Sequence, residues 1–188
     1  MSLSFVFCEL KNIIDDWTNV CFLLGKASDL FFSAIENHKK ILICGNGGSA
    51  AEAQHFAAEL MGWYENKTRD PIRAISLTTD TSCLTAIAND SSYDQVFARQ
   101  IYGLGDHGDI LVAITTSGKS KNILAAIAAA QKIGMKIIVL TGQNGANIKD
   151  CDIVFAVPSI HTARVQEIHT LLIHCLTEDI ESLWTKNN

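Results

Sequence analysis

His55 and Glu59 stand four residues apart, so a helix holding both would project them from one face. Near the C-terminal end, Gln166, Thr170 and His174 make a second polar stripe at i, i+4 and i+8. A carboxylate, two imidazoles and an amide are groups that move protons, and they can also hold a divalent metal. A histidine on an amphipathic helix is ordinarily solvated or hydrogen-bonded. The two stripes gain chemical meaning only if they meet at one pocket. Two further stretches suit an anion. Gly45-Asn-Gly-Gly-Ser49 is a glycine turn that opens a helix, and Thr115-Thr-Ser-Gly-Lys-Ser120 offers three or four hydroxyls and a lysine at the start of another. Helix N-termini with free N–H groups favour phosphate. Ordinary capping needs one hydroxyl, so the second loop reads as a phosphate seat. Neither stretch has the Gly-Lys-Ser/Thr ending of a nucleotide-triphosphate loop or the Gly-x-Gly-x-x-Gly spacing of a dinucleotide site.

The elements that must position these residues follow from periodicity. Leu42–Cys44, Ala74–Leu77, Asp109–Thr115, Lys136–Thr141 and Asp152–Val157 are short apolar runs that predict five strands buried on both faces. A helix after Gly48 is expected to bury Ala53, Phe56, Ala57, Leu60 and Met61, with Ser49 as N-cap and Glu52 completing a capping box. Its other face carries Glu52, His55 and Glu59. Helices are also expected over 80–87, 93–103 and 120–133, with a long closing helix from Thr162 to about Trp184. Its apolar face is Val165, Ile168, Leu172, Cys175 and Leu176. Two helices precede the first strand, with the break placed at Gly25; their apolar stripe suits either the sheet or another subunit. Strands alternating with helices imply a parallel sheet whose ligand sits at the strands' carboxyl ends. One domain is expected, with residues 1–37 as N-terminal helices and 38–188 as the α/β core.

The totals exclude several classes. The chain has 188 residues, 48% of them hydrophobic and 19% charged, which is globular rather than disordered. A net charge of −5 gives no electrostatic support to nucleic-acid binding. No apolar run is long enough to span a bilayer, and no basic segment leads into an apolar one as in a secretion signal. The six cysteines form no C-x-x-C pair and read as reduced thiols in a cytoplasmic protein.

Five ordered motifs carry a resemblance over nearly the whole chain. They are Cys44-Gly-Asn-Gly-Gly-Ser49, His55-Phe-Ala-Ala-Glu59, Ala88-Asn-Asp90, Thr115-Thr-Ser-Gly-Lys-Ser120 and Arg164-Val-Gln-Glu-Ile-His169. Together they resemble the sugar-isomerase (SIS) domain proteins, and more narrowly the phosphoheptose isomerases. The resemblance implies an α/β three-layer sandwich with a flavodoxin-like five-stranded parallel sheet and extra N-terminal helices. It implies a cytoplasmic homotetramer with active sites between subunits. The implied reaction interconverts D-sedoheptulose 7-phosphate and D-glycero-D-manno-heptose 7-phosphate, the start of the ADP-heptose route to lipopolysaccharide. By the same resemblance, Asn46, Gly47, Gly48, Asn89, Asp90, Thr115, Thr116, Ser117 and Ser120 contact substrate, as do Glu59 and Gln166. His55, Glu59, Gln166 and His174 are the implied zinc residues, with Glu59 the base and His174 the acid. Three positions depart from the usual pattern. Trp63 replaces a common arginine, Lys119 a common asparagine and Thr115 a common serine.

Two other functions fit the same fold. One is a non-enzymatic tetramer that binds the bacterial replication initiator, which Leu84-Thr-Ala-Ile-Ala-Asn-Asp90 resembles. That type lacks the glutamate and the final histidine, both present here as Glu59 and His174. The other is an isomerase for a different sugar phosphate.

Overall fold

The aliphatic runs form five short strands: β1 (Ile41–Gly45), β2 (Ala74–Ser76), β3 (Ile110–Thr115), β4 (Lys136–Gly142) and β5 (Ile153–Val157). The structure, a computed structural model, describes residues 3–187, with side chains from Phe5 to Trp184. All strand pairs are parallel and the order is β2-β1-β3-β4-β5. The helices are α1 (Leu3–Asp16), α2 (Val20–Glu36), α3 (Gly48–Met61), α4 (Thr81–Asp90), α5 (Val96–Leu104), α6 (Lys121–Ile133) and α7 (Thr162–Asn187). Alternate strand residues feed two cores, as the two-residue strand period requires. Ile41, Ile43, Val112, Leu140 and Phe155 pack under α1, α2, α3 and α7. Leu42, Leu111, Ala113 and Val139 pack against α5 and α6, with α4 at the margin. This is the three-layer sandwich expected.

The order reverses at β1. The chain leaves β1 through α3 to reach β2 on one side, and returns to β3 on the other. A crevice therefore opens between the carboxyl ends of β1 and β3, where the chain departs to opposite faces. The glycine turn and the hydroxyl loop both lie there.

Three local expectations are corrected. The first helix breaks at 17–19, and Gly25 lies inside α2. A single glycine costs a helix only about 1 kcal/mol, which the apolar stripe of Ala27, Phe31, Ala34 and Ile35 outweighs. The N-cap of α3 is Gly47, with no side-chain cap bond. Its φ of 57° lets the chain turn from strand to helix within two residues, which leaves Ser49 buried in the first turn and Glu52 turned inward. Met61 is exposed, because α3 ends there and its last turn passes beyond the sheet. All six cysteines are free thiols, but only Cys44 is buried; Cys8 and Cys21 are exposed.

One polar contact ties the end of α3 to α7. Arg69 and Glu181 are buried and paired at 3.0 Å. The Arg69 guanidinium donates to the carbonyls of Glu59 and Gly62, at 3.0 Å each, closing the open C-terminus of α3. The Glu181 carboxylate accepts the backbone N–H groups of Tyr64, Glu65 and Asn66. Burial pushes its pKa up, but those N–H groups and Arg69 outweigh burial and hold it below the ordinary 4.5.

Two outcomes follow. Gly25→Ala should raise stability by about 1 kcal/mol in denaturant titration, since nothing lies within 4 Å of an added Cβ. Glu181→Gln leaves a buried guanidinium unpaired and should cost about 3–5 kcal/mol at neutral pH. Because the folded pKa is lowered, Glu181's contribution is complete above 4.5 and is lost as pH falls through the folded value. The variant should therefore show a shallower acid limb in a plot of stability against pH.

Candidate active site

α3 and α7 pack side by side and run parallel, and their polar stripes meet in register. At the start of α3, a side chain on Gly48 would collide with the Gln166 amide, so the glycine there makes room for it. One turn on, the Thr170 hydroxyl donates to Glu52 at 3.4 Å. A further turn on, His174 Nε2 stands 3.4 Å from His55 Nε2, with the rings edge-to-face at 5.1 Å. The partners lie 118 or 119 residues apart in sequence, so the register is constant along the seam. His55 Nε2 also meets Glu59 Oε1 at 3.1 Å. One carboxylate and two imidazoles therefore share one half-open compartment.

The middle of the seam is closed to solvent. Glu52 Oε2 and His169 Nδ1 face each other at 3.7 Å, and neither these atoms nor His169 Nε2 makes a hydrogen bond. His169 is 0% exposed. The stripe read from the sequence skips it, because a period of four passes from Gln166 to Thr170.

Tyr64 also escaped the sequence reading. Its ring lies 5.9 Å from that of His174, placed by the Glu181 anchor. Partial burial, then the carboxylates of Glu178, Glu65 and Glu59, push its hydroxyl above the ordinary value, so it stays a protonated donor. The neighbouring Trp63 is exposed. The signal for Tyr64 was its place just after α3, but only the fold turns it inward.

At the crevice, Asn46 and Asn122 exchange two amide hydrogen bonds, 2.9 and 2.8 Å, and Tyr93 donates to Asn46 at 3.3 Å. Thr115 is buried and donates to Ser120 at 3.4 Å. Ser117 accepts the Lys119 N–H at 3.2 Å, while the Lys119 side chain is exposed. In the first turns, the Ser49 and Ala50 N–H groups bond the carbonyls of Asn46 and Gly47, and the Ile123 N–H bonds that of Ser120; an anion there would meet the N–H groups that precede these. Cys44 sits directly below the glycine turn, but burial pushes its thiol up to about 12, so it is no nucleophile there.

Two expected residues stand apart. Asn89 and Asp90 end α4 and bond each other at 2.8 Å. Asp90 lines a groove of about 790 Å³ with Gln95, Arg99 and Tyr102. Among the described residues no hydrogen bond or ion pair joins either to the histidine cluster.

The donor types suit zinc. Ligands on a tetrahedral ion at about 2.1 Å lie about 3.4 Å apart, close to the His55–His174 and His55–Glu59 separations. As placed, the set is not closed. Among the described residues no three His, Cys, Asp or Glu side chains enclose a metal point. Gln166 stands two helical turns from His174, about 12 Å along α7.

The SIS domain profile matches residues 21–142. The chain is 55% identical to the phosphoheptose isomerase of Thiobacillus denitrificans, over 85% of this chain and 83% of that one. It is 50% identical to that of Helicobacter pylori, over 88% and 86%. Among solved structures, phosphoheptose isomerase GmhA from Neisseria gonorrhoeae superposes with a TM-score of 0.87 at 44% identity, covering 96% of this chain and 97% of that one. A phosphoheptose isomerase from Francisella tularensis gives 0.89 at 38%, covering 95% of each. The shared fold and this degree of identity place the chain in the phosphoheptose isomerase family of SIS-domain proteins.

Proposed function

We propose that the protein interconverts D-sedoheptulose 7-phosphate and D-glycero-D-manno-heptose 7-phosphate through an enediol, in the cytoplasm, as the first step toward ADP-heptose and lipopolysaccharide. The observation that carries this reading is the seam. It brings Glu59 and His174 to His55, which lies seven residues along α3 from the glycine turn, about 10 Å at 1.5 Å per residue. A seven-carbon chain built from bonds near 1.5 Å, extended to its phosphate, has a comparable reach of roughly 10 Å. A phosphate in the crevice would thus set C1 and C2 beside the carboxylate. The names of the relatives support the same substrate.

The chemistry needs a base that reaches two adjacent carbons and an acid that serves two adjacent oxygens. Glu59 takes the C1 proton, and that electron pair forms the C1–C2 double bond. His174 gives a proton to O2, making the enediol. The O1 proton then passes back to the imidazole and the C1 carbonyl forms. The double-bond pair takes the proton from Glu59 at C2. Electrons stay within the sugar, so no nicotinamide is needed. The hydroxyls of Thr115, Thr116, Ser117 and Ser120 and the N–H groups of Gly47 and Gly48 would hold the phosphate. Gln166, Asn89 and Asp90 would meet the polyol.

Of the four expected ligands, His55, Glu59 and His174 stand close enough that they would hold zinc, which when bound supplies positive charge to the developing oxyanion. A carboxylate bound to zinc is a weaker base, so occupancy and turnover compete at Glu59. Assembly into a homotetramer is supported by the exposed Phe5, Phe7, Ile14 and Phe22 on α1 and α2. No described helix is long and apolar enough to cross a membrane.

Conversion of sedoheptulose 7-phosphate to aldose, followed with and without chelator, tests the activity directly. Glu59→Gln keeps the shape and removes the base, so kcat should fall by at least about 10²-fold. Near-normal turnover would remove Glu59 from the mechanism. For the metal, elemental analysis after zinc dialysis should find zinc in the wild type and little in His55→Ala; equal content in both would refute this ligand set.

A further inference from the structure

The ladder between β1 and β3 ends at the Gly45–Ile114 pair. Beyond it the chain diverges to opposite faces of the sheet, into the glycine turn and the hydroxyl loop. An anion held by both needs them at a fixed separation. Among the described residues, the only hydrogen bonds joining 46–49 to 116–122 are the two between Asn46 and Asn122. Asn122 is the second residue of α6 and is 3% exposed. Each amide donates once and accepts once across the pair, so both orientations are fixed. Tyr93, from the short turn before α5, donates to the remaining lone pair of Asn46 Oδ1 at 3.3 Å. The Asn46 oxygen is therefore fully engaged before any ligand arrives.

We propose that Asn122 and Tyr93 are positioning residues: they hold the Asn46 side chain and so set the glycine turn against the serine–threonine loop at the separation a phosphate monoester requires. Asn46 then serves substrate through the backbone of its turn and not through its amide. An amide pair suits this task better than an ion pair. It adds no net charge beside the anion, and its two part-buried amides satisfy each other, where an unpaired one would be costly. The inference rests on the sugar-phosphate reading of the same crevice, but it concerns the anion seat and not the proton transfer.

The test compares Asn46→Ala, Asn122→Ala, the double variant and Tyr93→Phe, with two readouts. Calorimetric titration with inorganic phosphate reads the seat without turnover, and kinetics with sedoheptulose 7-phosphate separate KM from kcat. Loss of the latch removes binding shared by ground and transition states, so KM should rise about tenfold in either single variant with kcat changed much less. Phosphate affinity should fall in parallel. The double variant should be no worse than the singles, because each amide acts through the other. Tyr93→Phe, which removes one hydroxyl, should show a smaller shift of the same kind and serves if Asn122→Ala does not fold. Additive losses would mean that Asn46 touches substrate by its own side chain, and would overturn the proposal. So would unchanged phosphate affinity in Asn122→Ala and Tyr93→Phe, or a wild type that binds no phosphate. A wild type that binds phosphate but leaves sedoheptulose 7-phosphate unchanged would sink the isomerase reading alone, and the phosphate titrations would still decide the latch.

Discussion

The arrangement depends on one register: α7 lies parallel to α3 with a constant offset, so that Gly48 meets Gln166, Glu52 meets Thr170 and His55 meets His174. A slip of one residue would rotate each stripe by about 100° and scatter these side chains. Apolar packing alone tolerates such slips, because Val165, Ile168, Leu172 and Leu176 could find other hollows. The buried Arg69–Glu181 pair does not. It joins a fixed point on α7 to the carbonyls that end α3 and to three N–H groups of the following loop. Directional hydrogen bonds thereby fix what the hydrophobic contacts only favour.

That seam accommodates polarity at some cost. Glu52 and His169 are closed off from water without a hydrogen bond between them, a placement that apolar residues of similar volume would make more stable. The structure offers no stabilising reason for the pair. Thr170 links Glu52 to the turn of α7 that bears Gln166. Polar groups in the middle of the seam keep α3 and α7 from sealing into a wholly apolar contact.

The crevice works on a different principle. Its polar groups are backbone N–H groups and short hydroxyls supplied by two helix starts, and any sheet with this strand order provides such a place. The specific parts are the cross-links. The Asn46–Asn122 pair joins the two loops, and the seam sets the His55–Glu59–His174 cluster about 10 Å away. The crevice is generic geometry, whereas the His55–Glu59–His174 cluster is one that this helix pair assembles.

Much of this was legible in the residues. Five apolar runs gave five strands, and the i, i+4 spacing of His55 with Glu59, and of Gln166, Thr170 and His174, placed each set on one helix face, because period and direction are local properties of the chain. The break between α1 and α2, the cap of α3 and the exposure of Met61 were misread, since local propensity is overridden when a strand must turn into a helix within two residues or when a sheet ends. Tyr64, Asn122, Tyr93 and the buried Glu52–His169 contact were not legible at all. Each acquires its role from a partner between 47 and 117 positions distant, and sequence spacing carries no information about such distances. The sequence by itself determined which groups were available and which face each would occupy. Only the tertiary structure decided which faces meet, because that is set by helix register and strand order, which are properties of packing between segments and not of any segment alone.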